Sequence, residues 1–348
     1  MKQRKRKFAC FLPLILCFCI ALSGCDTSFS PANSSAGNSP AANSPAANSP
    51  VGNSQAKDSQ TKDSPAKDSQ SKDSPDQKGS RDNTSLVLEP VASGVSSFAC
   101  DIATIDVSNA SEGYIMANYT GTNEKVKLQI KGPDSVTYTY NLHGAEYEVF
   151  PLTAGDGTYT VGIFENISGT KYSTAISTDY NVTITNTFGP YLYPNQYVNF
   201  ISSSLPVAKA VELAYPANTE LEVVEYVYNY IIENFTYDYD KASSVASGYL
   251  PVVDVVYESG SGICFDYAAL MATMLRSQNI PTRLEVGYLG EEYHAWISTY
   301  IKDIGWVNGI IEFDGSDWNL MDPTFASTSK SPTNFITEES KYLTKYVY

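Results

Sequence analysis

Three residues able to act together as nucleophile, base and orienting acid occur in order along the chain: Cys264, His294 and Asp322. Cys264 lies in Gly260-Ser-Gly-Ile-Cys-Phe-Asp-Tyr-Ala-Ala269, where glycines give way to a helix-forming run. A helix starting at or just after the cysteine presents unpaired N–H groups and positive potential to the sulfur. Both favour the thiolate, the reactive form, and predict a lowered pKa. The same N–H groups can hold negative charge on a substrate oxygen. His294, in Tyr293-His-Ala-Trp-Ile297, is one of only two histidines. An imidazole beside a thiol takes its proton and later returns it to a leaving amine. Asp322, in Leu320-Met-Asp-Pro-Thr324, offers a carboxylate to fix the ring's tautomer and orientation. Taken singly, each has a plainer reading: a packed cysteine, a core or surface histidine, an Asp-Pro turn. Their joint order and contexts point to nucleophilic acyl transfer.

The elements that must position these groups can be read around them. Pro206 suits the first turn of a helix running to about Tyr215. Thr219 is placed to cap a second helix ending at Asn234, with Leu221, Val224, Val227, Tyr228 and Ile231 on one face. A third follows Cys264, carries Ala268, Leu270, Met271, Met274 and Leu275, and stops before Ile280-Pro281. Strands are expected at 282–288, 293–301 and 318–321. Helices followed by a sheet give residues 189–348 an α+β fold. The segment 305–315 is longer than a hairpin turn needs and is expected to shape or cover a substrate groove. Of the tryptophans around the site, Trp296 and Trp318 read as core packing and Trp306 as a substrate contact. Residues 85–188 read as short alternating strands broken by Gly, Asn, Asp and Pro, an all-β sandwich of immunoglobulin-like type. His143, within it, reads as a loop residue.

The second half resembles the transglutaminase-like superfamily, which shares the papain-like cysteine enzyme fold. The matching features are Gly262-x-Cys264 with its Ala-rich helix, Ile280-Pro281-x-Arg283 leading to Gly287-Tyr288, His294-Ala-Trp296 and Asp322-Pro-Thr324. Phe235-Thr-Tyr-Asp238 upstream is also similar. The resemblance spans roughly residues 205–330. It implies Cys264 as nucleophile, His294 as base, Asp322 as orienting acid and Tyr237 near the oxyanion site. No metal or other cofactor is indicated, since Cys-x-x-Cys, His-x-x-x-His and calcium-loop patterns are missing from the sequence. The pair Asp238 and Asp240 reads as a solvated turn.

The chain opens with Lys2, Arg4, Lys5, Arg6 and Lys7, then an apolar run from Phe8 to Leu22 closed by Leu22-Ser23-Gly24-Cys25. This resembles the bacterial lipobox, which implies a signal peptide at 1–24 and diacylation of Cys25. Two acyl chains anchor stably where one would be marginal. Residues 25–84 carry repeats of Asn-Ser-Pro-Ala-Ala and Lys-Asp-Ser and few large apolar side chains. Such a stretch cannot bury enough surface to offset chain entropy and is expected to be a disordered stalk. The formal net charge is −15, or −20 without the five basic residues of the leader. With no basic stripe, nucleic-acid binding is excluded. Cys100 and Cys264 are the two cysteines left for the folded part, and a bridge between them is the alternative to a reactive Cys264.

Together these readings predict a monomeric enzyme held by lipid on the extracytoplasmic face of a bacterial membrane. It would act on amide bonds of peptides or proteins, cell-wall peptides among them, by hydrolysis or transglutaminase-type cross-linking. The alternative is a catalytically inactive surface binding or structural protein of the same fold. An acyltransferase using a coenzyme thioester is disfavoured by the lack of a basic cluster for the donor's phosphates.

Overall fold

The computed structural model describes residues 77–144, 146–289, 292–313, 318–320 and 342–348. The leader, Cys25, most of the expected stalk and Asp322 lie outside the described residues.

Alternating side chains make the first half a β-structure of two four-stranded antiparallel sheets. Strands β1 (Ser97–Ala99), β2 (Ala103–Asp106), β3 (Tyr114–Tyr119) and β6 (Glu148–Pro151) form one, in the order β1-β2-β3-β6. Strands β4 (Val126–Lys131), β5 (Thr137–Leu142), β7 (Gly157–Ser168) and β8 (Lys171–Val182) form the other, ordered β5-β4-β7-β8. On β4, Val126, Leu128 and Ile130 are buried while the polar residues between them are not, the period of two that a half-buried strand requires. Tyr140 on β5 and Phe150 on β6 join the sheets, their rings 4.8 Å apart.

The second half begins with helices α1 (Leu205–Ala214) and α2 (Glu220–Asn234). Pro206 sits in the first turn of α1. The Thr219 hydroxyl accepts the Glu222 N–H at 3.2 Å and so caps α2. Two short helices, α3 (Tyr239–Ser244) and α4 (Val253–Ser259), precede α5 (Cys264–Ser277). From Asp266 to Ser277 every residue of α5 is buried. Sequence periodicity puts one apolar face on this helix, but it is enclosed all round, by the sheet on one side and by α1, α2 and α4 elsewhere.

The sheet contains β11 (Thr282–Leu289), β12 (Glu292–Ile301), β13 (Gly305–Phe313), β14 (Trp318–Leu320) and β15 (Tyr342–Val347), antiparallel in the order β14-β13-β12-β11-β15. Two of these strands differ from the sequence reading. Residues 305–313 are a strand between β12 and β14, an element not assigned from the sequence. Its register slips between Ile297 and Ser298, which leaves Gly309 and Ile310 as a bulge. β15, which carries no strong local signal, pairs with β11 from far along the chain. Gly287 permits that pairing, because a Cβ there would lie 2.1 Å from the Leu343 carbonyl oxygen.

Two clips hold the parts together. The Arg276 guanidinium, 1% exposed, donates to the carbonyls of Thr282, Tyr193 and Tyr348 at 2.9–3.0 Å. Burial lowers its pKa to about 9. The second clip is a strap formed by residues 78–86, which overlaps the end of the expected stalk. Gly79 and Arg81 N–H groups bond the Tyr215 and Ala217 carbonyls, and the Leu86 N–H bonds the Ser277 carbonyl. Asn83 reaches the Val211 carbonyl, and the Arg81 guanidinium reaches the carbonyl of Gln278. Residues 78–84 are therefore paired with α1, the α1–α2 turn and the end of α5. Their backbone hydrogen bonding, which composition does not encode, outweighs their stalk-like sequence.

Candidate active site

Cys264 is the first residue of α5, delivered by a tight approach. Gly260 ends α4 in the left-handed conformation, φ 58°, where glycine carries no Cβ penalty. The chain then runs as β10 (Ser261–Gly262), parallel to β9 (Thr236–Tyr237), with Gly262 opposite Tyr237. The Asp238 N–H donates to the Gly262 carbonyl at 2.9 Å. Tyr237 is thereby fixed beside the segment that leads into the cysteine, with its ring 6.4 Å from that of Tyr267 on α5.

His294 lies on β12 opposite Gly287 of β11 and is half-buried. α5, which Cys264 heads, packs against β12, the strand that carries His294. The structure thus brings the cysteine and the histidine-bearing strand into contact, although they are separated by 30 positions in the sequence. No disulfide competes for the sulfur: Cys100 and Cys264 are both free thiols. Burial pushes the Cys264 thiol above its ordinary pKa, opposed by the N–H groups of Ala295, Phe265 and Cys264 itself, while the Asp266 charge adds to the rise. The helix start acts in the expected direction, against the rise that comes from burial.

Trp306 is not brought to this place. It pairs with Tyr300, six residues along β12 from His294, or roughly 20 Å at the strand rise of about 3.3 Å per residue. Its ring instead stacks under the Arg283 guanidinium at 3.7 Å and against Tyr191 at 5.2 Å. Trp296 is a core residue, 3% exposed. His143 lies on a loop and pairs with Glu148 at 3.1 Å. Asp238 is the cap of α3, accepting the Lys241 N–H at 2.8 Å. Among the described residues no group of three or more His, Cys, Asp or Glu side chains could hold a metal ion, and no helix is long and apolar enough to cross a membrane.

One cluster escaped sequence reading. Asp266, two residues after Cys264, has no solvent exposure, and its carboxylate accepts from Lys241 Nζ at 2.6 Å, the Tyr249 hydroxyl at 2.5 Å and the Ile263 N–H at 2.8 Å. An acid at the third helical position is a readable cap signal. Lys241 gave no signal, because its partner lies 25 residues away.

Residues 208–309 match the model of the transglutaminase-like superfamily, a span that includes Cys264 and His294 and ends before Asp322. YebA of Bacillus subtilis (strain 168) is 25% identical over 139 residues, which are 34% of this chain and 19% of that protein. A protein-glutamine gamma-glutamyltransferase of Pseudomonas aeruginosa is 31% identical over 90 residues, 22% of this chain and 13% of that protein. The chain thus spans under a fifth of the length of either relative. Among solved structures, the periplasmic domain of TgpA from Pseudomonas aeruginosa, bound to ethylmercury, aligns with 59% of this chain and 91% of that one, at 15% identity and a TM-score of 0.27. Residues 208–309, which hold α5 and much of the mixed α/β second half, are thus similar to the transglutaminase-like superfamily.

Proposed function

We propose that this chain is a cysteine enzyme acting on amide bonds of peptides or proteins through a Cys264 thioester. The observation that carries the reading is the Cys264 thiol at the head of α5, the helix packed on the strand that carries His294. In the proposed reaction His294 takes the thiol proton as sulfur attacks the amide carbonyl carbon. The C–N bond then breaks and the amine leaves with that proton. Water intercepting the thioester gives hydrolysis, and an amine gives cross-linking. N–H groups at the start of α5 and Tyr237 are the candidates to hold the developing oxyanion. Asp322 is assigned to orient the imidazole, completing the triad. We read the two N-terminal sheets as an immunoglobulin-like sandwich over 85–188. Residues 1–24 are read as a signal peptide, with Cys25 the acylated anchor on the extracytoplasmic side. Peptides outside the membrane, including those of the cell wall, are then the accessible substrates, and a monomer suffices.

One observation favours a second reading, an inactive binding or structural protein: Cys264 is partly buried against the core, which works against its charged form. The alkylation rate of Cys264 against pH, followed by peptide mass spectrometry on the intact chain, separates the two. A reactive enzyme has a midpoint below the free-cysteine value of about 8.5, supplied by the imidazole and lost in His294→Ala, with a smaller loss in Asp322→Ala. A midpoint above that value and unmoved by either substitution sinks the enzyme reading. Cys264→Ala must abolish turnover of any substrate identified.

A further inference from the structure

Beneath the nucleophile lies a charge that works against it. Asp266 is fully buried, two residues from Cys264, and raises the thiol's pKa. An isolated buried carboxylate is costly to keep, and its field is strong where water is excluded. The neighbour that answers it comes from α3. Lys241 Nζ lies 2.6 Å from Asp266 Oδ2 and 4.4 Å from the centre of the Tyr249 ring. Tyr249 in turn donates its hydroxyl to the other carboxylate oxygen. The ionisable groups around this turn are Lys241 and Tyr249 on and after α3, Tyr237 and Asp238 at β9, Tyr267 on α5, and His294 on β12. Lys241 is the cation among them that touches Asp266.

We propose that Lys241 is a positioning residue for the Cys264 nucleophile, neutralising Asp266 so that a thiolate can form at the head of α5. This rests on the reading of Cys264 as the nucleophile. Burial lowers the Lys241 pKa, but bonding to Asp266 and Tyr249 and attraction to Asp266 hold it above the ordinary lysine value, so it is charged at neutral pH. No residue of α3 is buried. The helix is tied in by the cap at Asp238, by this polar cluster and by the Tyr237–Tyr239 ring contact.

The test is the pH dependence of Cys264 alkylation by iodoacetamide, read on the full chain by peptide mass spectrometry, in Lys241→Met, Lys241→Arg, Asp266→Asn and the Lys241→Met/Asp266→Asn double variant. Lys241→Met should move the midpoint upward and slow alkylation several-fold at neutral pH. Lys241→Arg should restore most of the rate, and the double variant should return towards the parent because no unbalanced charge is left. A profile unmoved by Lys241→Met overturns the proposal. So does a double variant slower than both single ones, which is the pattern of a purely structural role. Circular dichroism on each variant identifies any that fails to fold, and Lys241→Arg then decides between charge and shape. An unreactive parent thiol indifferent to His294→Ala would sink the enzyme reading alone, since the Lys241→Met shift is read on the thiol itself.

Discussion

At the scale of single residues, the site depends on positions where one added atom has nowhere to go. A Cβ on Gly262 would lie 2.7 Å from the Cβ of Asp266 and 3.2 Å from its Cγ. Both belong to the buried base of a side chain that cannot swing away. Gly262→Ala is therefore expected to lose about 1–3 kcal/mol in urea denaturation, and to move the Cys264 alkylation midpoint with Asp266. An unchanged midpoint alongside lost stability would mean that Asp266 and Cys264 are not coupled. Cys264 and His294 were legible in the sequence because each stands in a distinctive local context. The burial that raises the thiol pKa was not, since it comes from the sheet and the surrounding helices, elements assembled from distant segments. Asp322 lies outside the described residues.

At the scale of elements, α5 is held by what binds its ends. Replacing Arg276 with Met leaves three carbonyls, those of Thr282, Tyr193 and Tyr348, without their donor. The expected cost is about 3 kcal/mol, read from the chemical denaturation midpoint, because an unmet buried acceptor costs about 1–3 kcal/mol. Thr219→Ala, which removes only the cap of α2, should cost about 1 kcal/mol. A larger loss at Thr219 than at Arg276 would reverse this ranking of the two contacts. Helices α1, α2 and α5 were readable because Pro206, Thr219 and the cysteine turn mark their starts and Ile280-Pro281 marks the last stop, whereas the short α3 and α4 were not read. β13 was missed because the bulge at Gly309 and Ile310 interrupts its alternation. β15 was missed because its pairing depends on Gly287, some 55 residues away.

At the scale of the whole molecule, tyrosine binds the two halves into one core. Tyr138 and Tyr140 of β5 pack on Tyr348, and Tyr197 lies between Tyr140 and Phe265, the residue after Cys264. Several of these rings are buried, Tyr140 with 2% exposure. Burial raises Tyr197 to about 12, and raises Tyr140 and Tyr348 further. The fold thus favours the neutral hydroxyls, whereas the unfolded chain ionises near the ordinary value of about 10. Their contribution to stability is complete below pH 10 and is lost as pH rises through the folded-state values. Alkaline titration should therefore show buried tyrosinate absorbance appearing together with loss of near-ultraviolet circular dichroism. Independent ionisation of these hydroxyls in an intact fold would contradict this account.

The strap over residues 78–86 has a mechanical consequence. A pull arriving along the chain from its N-terminal side meets the bonds from Gly79 and Arg81 to the α1–α2 turn first, and then the bond from Leu86 to Ser277. Cys264 sits at the opposite end of the 14-residue α5, about 20 Å away at the helical rise of 1.5 Å per residue. The load thus enters at the tail of the helix and can peel the strap one bond at a time before it reaches the thiol. In engineering terms the strap is a strain relief, like the sleeve where a cable meets its plug.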